Sequence, residues 1–187
     1  TQLNALNNEV IRTLNQQLIR LENSHNIRSI IITGAGDKSF VAGADIKEFQ
    51  NFNTKEAIQL SKSGKMELFD KISNYNKPII SAINGYALGG GLELALSTHI
   101  RIASQTAKLG LPECSLGLIP GYSGTQRLPQ IVGMNRALEM ILTAKIITAD
   151  EAYRIGLINH IVLKEELMLK CLEISKLFLN TSPEALT

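Results

Sequence analysis

The chain has 187 residues, 44% of them hydrophobic and 19% charged, which is enough apolar material for one domain-sized core and argues against disorder. Its 19 basic and 17 acidic side chains are interspersed and leave a net charge of +2, which speaks against a nucleic-acid surface built from clustered Lys and Arg. No apolar run is long enough to span a bilayer, residues 1–8 show no signal-peptide pattern, and two cysteines, Cys114 and Cys171, cannot make a disulfide framework, so a reducing compartment is expected.

In chain order, Leu6, Val10, Leu14, Leu18 and Leu21 recur at helical spacing and predict an amphipathic helix. Residues 27–33 form a compact β-branched run, expected as a buried strand that ends in the turn Gly34-Ala35-Gly36-Asp37. Residues 38–44 read as a loop. Asn53 with Glu56 three positions on is a capping-box pattern, opening a helix toward Tyr75 whose basic residues would form a solvated face; Lys77-Pro78 breaks it. Ile79-Ile80-Ser81-Ala82-Ile83 is the second clear strand, and Asn84-Gly85 turns the chain. Gly89-Gly90-Gly91 then precedes a helix that carries Glu93 and runs to about Ser97. Residues 99–103 and 108–111 are short strand candidates, and residues 120–124 are a second glycine-rich loop ahead of a helix. Further helices are expected over 135–143, 148–155 and 164–179, the second opened by Thr148 and Glu151 as a capping box. The alternation of helix and strand predicts an α/β domain. The first residue is not Met, and the last seven residues read as a linker after a helix, so a fragment of a longer protein is expected.

Two features could carry chemistry. A strand, glycines and a helix start in succession over residues 79–96. Such a junction directs free backbone N–H groups and the positive helix end at one spot, where an anion or an oxygen gaining charge is stabilised. It is no P-loop, since Gly91 is followed by Leu92-Glu93, and no G-x-G-x-x-G fingerprint; a tight helix entry without a ligand accounts for the same residues. The second feature is a pair of acids in apolar surroundings, Glu93 in Leu92-Glu93-Leu94-Ala95-Leu96 and Glu113 in Leu111-Pro112-Glu113-Cys114. Desolvation raises the pKa of such carboxyls, and two of them facing one water could act as general base and general acid. Surface or capping acids would give the same local pattern. Gly121-Tyr122-Ser123-Gly124-Thr125 is not G-x-S-x-G. Cys114 has no His nearby in sequence and reads as a buried filler. His25, His99 and His160 lack metal-ligand spacing, so no metal is expected.

Read together, these stretches resemble the crotonase (enoyl-CoA hydratase/isomerase) superfamily. The resemblance begins at Leu3-Asn4-Ala5-Leu6-Asn7 and continues through residues 39–48. It is strongest over residues 77–95, and it runs on through Leu111-Pro112-Glu113, residues 117–121 and Gly124-Thr125-Gln126-Arg127-Leu128. It implies a spiral of ββα units assembled as a homotrimer or homohexamer. It also implies a bacterial-type cytoplasmic setting or, as the alternative, a mitochondrial matrix after transit-peptide removal. The substrate would be an acyl-CoA thioester, with coenzyme A part of the substrate and no separate cofactor. By resemblance the enolate-like oxygen is held by the backbone N–H groups of Ala44 and Gly90, the latter in agreement with the helix-end argument. Ala42, Gly43, Asp45 and Ile46 would run beside the CoA moiety, and the Gly121 N–H would help orient water. Hydratases of the family carry two glutamates, and Glu93 and Glu113, 20 positions apart, match that pattern. The implied reaction is syn addition of water to a trans-2-enoyl-CoA, with Glu113 protonating the α-carbon and Glu93 activating the water. The alternatives are a Δ3-Δ2 enoyl-CoA isomerase, which relies on the acid at Glu113, and a non-catalytic or RNA-binding homologue. Thr98-His99, where the family often has Cys-Asp, and Tyr122-Ser123 depart from the pattern and are expected to reshape the acyl pocket. Family members continue past this point into helices that close the pocket and build the trimer, so residues 1–187 are expected to be the spiral core without that segment.

Overall fold

The computed structural model describes residues 2–45 and 62–185. The first helix, α1 (Asn8–Glu22), starts at Asn7, whose side chain accepts from the Val10 N–H at 2.8 Å. Leu6 before the cap and Ile11 in the next turn hold the positions of a hydrophobic staple, and both lie in the core. Three steps of the chain then share one plan. In the first, β1 (Ile30–Thr33) and β2 (Ser39–Val41) are followed, beyond residues 46–61, by a widened helical turn (Lys65–Phe69) that runs into α2 (Asp70–Ser73). In the second, β3 (Ile79–Ile83) and β4 (Tyr86–Leu88) lead into α3 (Gly90–Ser97). In the third, β5 (Ile100–Ser104) and β6 (Lys108–Gly110) lead through a 3-10 turn (Pro112–Leu116) into α4 (Gly124–Val132) and α5 (Met134–Leu142). The remainder is β7 (Ile146–Thr148), α6 (Ala149–Arg154), β8 (His160–Val162) and α7 (Leu167–Leu177).

Each ββ pair splits between two sheets. One sheet has the order β1-β3-β5-β8 and is parallel throughout; the other has the order β2-β4-β6-β7, with β7 antiparallel. A strand in each sheet followed by a helix, repeated, is the spiral of ββα units that the motifs imply. The first sheet is covered on both faces. Ile79 and Ile83 point into the main core, while Ile80 and Ala82 join Ile102, Leu167 and Cys171 beneath α7. All five residues of β3 are therefore buried, which is why its sequence is a continuous apolar run.

The structure corrects several sequence expectations. The strand expected over 27–33 spans only Ile30–Thr33 and is half-buried, because β1 is the edge of its sheet. Ser39–Val41 lies in the expected loop yet forms β2, all three residues buried. The strands β4, β7 and β8, three residues each, carry no strand expectation, whereas β6, equally short, falls within the expected 108–111. Thr148 does cap α6, accepting from the Glu151 N–H, but the Glu151 carboxylate pairs with Lys145 at 3.1 Å and does not complete the box. The capping box at Asn53 and Glu56 lies outside the described residues. The solvated face expected before Tyr75 fails for Lys65 and Lys71, which pair with Asp70 and Glu22. Lys77, at the break, donates to the Leu21 and Ser24 carbonyls.

Candidate active site

The triple glycine sits where β4 passes into α3, and the structure gives separate reasons for two of its members. Gly89 has φ +52° and ψ −126°, a conformation side chains rarely adopt. A Cβ on Gly91 would lie 2.0 Å from the Val41 carbonyl oxygen, so α3 can approach β2 only through glycine. The Gly89 N–H donates to the Gly110 carbonyl at 2.9 Å. The next donor, the Gly90 N–H, has no acceptor among the described residues and stands at the positive end of α3. A second glycine turn faces it. Gly43 has φ +117°, and a Cβ on Gly89 would lie 3.9 Å from the Gly43 Cα. Leu6 bridges this turn, donating to the Gly43 carbonyl and accepting from the Asp45 N–H, both at 2.8 Å. Between them the Ala44 N–H likewise has no acceptor among the described residues. The two touching turns thus place two unused N–H donors, each one residue past a positive-φ glycine, in the same region.

Glu93 lies on the first turn of α3 and is 1% exposed. Its Oε1 accepts from the Tyr122 N–H and the Gly124 N–H, both at 2.7 Å. Burial pushes its carboxyl up from the usual 4.5 to about 7; the Gly124 N–H opposes this, the Glu113 charge adds to it, and the Tyr122 N–H and Arg127 oppose it. Glu113 stands on the 3-10 turn and is half-buried. Its Oε2 is buried with no hydrogen-bond partner, and burial raises its carboxyl against the pull of its own backbone N–H. Its Oε1 lies 2.8 Å from where a Cβ of Gly89 would be, which puts this carboxyl at the mouth of the glycine turn. The fold therefore gathers Glu93, Glu113, Ala44 and Gly90 around one junction. Two raised carboxyls beside two free N–H donors can move protons next to an oxygen that gains charge.

Other predicted residues fall differently. Ala42, Gly43 and Asp45 are half-buried beside the N-terminal segment, with the Ala42 N–H donating to the Leu3 carbonyl. Ile46 lies outside the described residues. Gly121 is exposed, and the backbone donors on Glu93 come from Tyr122 and Gly124. Thr98 and His99 do not reshape the site: they follow the C-terminus of α3, eight residues from Gly90 and about 12 Å away along the axis. There Thr98 shares a hydrogen bond with Ser81, and His99 Nδ1 accepts from the Ile79 N–H. The nearby Arg101, 8% exposed, is satisfied by the Leu157 and Thr98 carbonyls. Tyr122 is buried, stacks on Phe69 with centroids 4.4 Å apart, and lies against Gly90, whose Cβ would be 3.5 Å from the ring. Cys114, expected as a buried filler, is only half-buried and packs against the core from outside it. No group of His, Cys, Asp and Glu that could hold a metal occurs among the described residues. No helix among them is long and apolar enough to cross a membrane.

A sequence model of the enoyl-CoA hydratase/isomerase family matches residues 1–187. The chain belongs to this family. It is 46% identical over 183 residues to a short-chain-enoyl-CoA hydratase of Clostridium acetobutylicum, covering 98% of this chain and 70% of that one. It is 46% identical over 166 residues to a crotonyl-CoA hydratase of Syntrophomonas wolfei, covering 89% of this chain and 64% of that one. Among solved structures, an enoyl-CoA hydratase from Bacillus anthracis superposes with a TM-score of 0.91 at 38% identity, over 99% of this chain and 71% of that one. The chain therefore spans about two thirds of the length of these enoyl-CoA hydratase relatives. Sequence reasoning singled out Glu93, Glu113 and the Gly89–Gly91 turn, while Ala44 came from the family resemblance and the turn at Gly43 was read only as loop. It missed the donors on Glu93, because hydrogen bonds from a loop 29 and 31 residues away leave no local pattern. It also missed Asp70, an unremarked acid within an expected helix.

Proposed function

We propose that this chain catalyses the reversible syn addition of water to a trans-2-enoyl-CoA, giving a 3-hydroxyacyl-CoA. The observation that carries the reading is the meeting of Glu93 and Glu113, both raised in pKa, at the junction that offers the Ala44 and Gly90 N–H groups. The thioester oxygen accepts from those two donors. Glu93, as carboxylate, takes a proton from water while the water oxygen bonds to the β-carbon. The π electrons move onto the thioester as an enolate, and the Glu113 carboxylic acid then delivers its proton to the α-carbon. The proton left on Glu93 returns to Glu113 before the next turnover. The two backbone donors on Glu93 Oε1 favour the ionised form there, and the partnerless Glu113 Oε2 favours the neutral form. One oxyanion donor is worth about 3 kcal/mol and one acid–base group about 10²–10⁴ in rate, so neither device suffices alone.

In the same reading the CoA moiety lies along Ala42, Gly43, Asp45 and Ile46, the Gly121 N–H helps to orient the water, and neither a separate cofactor nor a metal takes part. The assembly is a homotrimer or homohexamer. It is supported by the exposed apolar side chains Met134, Leu138 and Leu142, spaced four apart along α5. The setting is a reducing one, the bacterial cytoplasm before the mitochondrial matrix. Hydration of crotonyl-CoA, followed as loss of the enoyl-thioester absorbance, tests the activity. Isomerisation of a 3-enoyl-CoA without hydration would transfer the site to the isomerase reading, which needs only the acid at Glu113.

A further inference from the structure

Glu93 is fixed by a turn, and the turn is fixed by a charged cluster beyond the two carboxyls. Tyr122, Ser123 and Gly124 form a backbone concavity whose first and third N–H groups converge on Glu93 Oε1. The residue between them, Ser123, has φ +76°, a left-handed conformation that costs a non-glycine residue roughly 1–2 kcal/mol. Something must hold it there. Its carbonyl accepts from the Gln126 and Arg127 N–H groups at 3.0 and 2.9 Å. Arg127 does more with its side chain: Nη1 donates to the Tyr122 carbonyl at 2.9 Å, and Nη2 to Asp70 Oδ1 at 2.8 Å and the Phe69 carbonyl at 3.3 Å. Lys65 pairs with the other oxygen of Asp70. The Phe69 ring stacks on Tyr122, so one guanidinium ties both ends of that stack.

We propose that Arg127 and Asp70 are positioning residues: Asp70, anchored by Lys65, aims the Arg127 guanidinium at the Tyr122 carbonyl, and this brace keeps the strained 122–124 turn seated on Glu93. The inference rests on Glu93 being the water-activating base. Two further observations support it. Burial pushes the Asp70 carboxyl up, but hydrogen bonds from Lys65 and Arg127 outweigh this and hold it below 3.8, so the brace stays ionised wherever the site works. The Arg127 charge also favours the ionised form of Glu93, so the brace acts on the position and the protonation of the same group.

The test compares Arg127→Met, Arg127→Lys and Asp70→Asn with the unaltered chain. It reads kcat and KM for crotonyl-CoA against pH, and the Glu93 carboxyl by infrared difference titration against Glu93→Gln. Arg127→Met is expected to lower kcat about 10–100-fold while KM moves less than about threefold, and to raise the Glu93 midpoint because a favourable charge and the turn geometry are both lost. Arg127→Lys restores the charge without the two-pronged fork, so it should recover the midpoint more fully than kcat. Asp70→Asn should lower kcat about 3–10-fold. A folded Arg127→Met with the midpoint and kcat of the unaltered chain would overturn the proposal. Should Arg127→Met not fold, Arg127→Lys and Asp70→Asn decide: normal kcat in both overturns it, and reduced kcat at constant KM supports it. A chain without hydratase activity would sink the hydratase reading alone, and the infrared midpoints would still decide whether the brace acts on Glu93.

Discussion

Glu93 and Glu113 are the same side chain given two surroundings. Glu93 sits on a regular helix whose eight residues are all buried, and two backbone N–H groups hold one of its oxygens. Glu113 sits on a short 3-10 turn with no fully buried residue, close in sequence to the exposed Leu116, Leu118 and Ile119, and its buried Oε2 meets no donor. Burial raises both carboxyls; two backbone donors from another loop oppose this at Glu93, and only Glu113's own backbone N–H opposes it at Glu113. Two coupled carboxyls, both raised but held by different partners, can share the protons that an acid and a base exchange.

The largest expected effect breaks the acid side. Glu113→Gln should lower kcat for crotonyl-CoA hydration by about 10²–10⁴-fold, with the Kd for acyl-CoA, read by equilibrium binding, changed only a few-fold. An unchanged kcat would remove Glu113 from the chemistry. Glu93→Gln should lower kcat comparably and separate from Glu113→Gln in stability. A buried carboxyl raised from 4.5 to about 7 disfavours the fold as pH climbs through that window, because the unfolded chain releases the proton first. That amounts to on the order of 3 kcal/mol at alkaline pH, absent below the unfolded value. Glu93→Gln should therefore gain stability over the unaltered chain between about pH 5 and pH 8, measured by urea unfolding, and Glu113→Gln should gain less. Equal gains would mean that the two sites are equally enclosed. In the unaltered chain, the hydration rate should change with pH through about 7, where Glu93 titrates, and Glu93→Gln should remove that limb.

The legible part of the molecule was the part written in contiguous residues. Residues 79–97 announced a buried strand, a glycine turn and a helix carrying Glu93, and the structure places β3 and α3 there. The place of Gly90 at a helix start, with an N–H free to meet an anion, was legible there, and its donor role came from the family resemblance. Four of the three-residue strands, β2, β4, β7 and β8, were invisible, because they owe their conformation to ladder partners elsewhere in the chain, whereas β6 fell within the expected run 108–111. The site was half legible for the same reason. An acid between leucines advertises burial, whereas the identity of its donors depends on how a loop folds back over α3. Thr98-His99 shows the opposite error: a departure from a familiar pattern looked relevant to the acyl pocket, yet it lies at the far end of that helix and serves packing.

The smallest effect expected is also the sharpest on the comparison, because each carboxyl has a glycine pressed against it. A methyl at Gly124 would lie 2.9 Å from Glu93 Oε1 and 3.0 Å from both Glu93 Cγ and Pro120 Cβ. Glu93 is enclosed and cannot yield, so Gly124→Ala should pull it off its two donors and shift the acidic limb of the rate profile upward. A methyl at Gly89 would lie 2.8 Å from Glu113 Oε1, the free end of a half-buried side chain. That end can swing aside, so the main cost of Gly89→Ala is its backbone conformation (φ +52°, ψ −126°), roughly 1–3 kcal/mol of stability, with the acidic limb where it was. A shifted limb in Gly89→Ala and none in Gly124→Ala would mean that the limb belongs to Glu113, and the roles of base and acid would have to be exchanged.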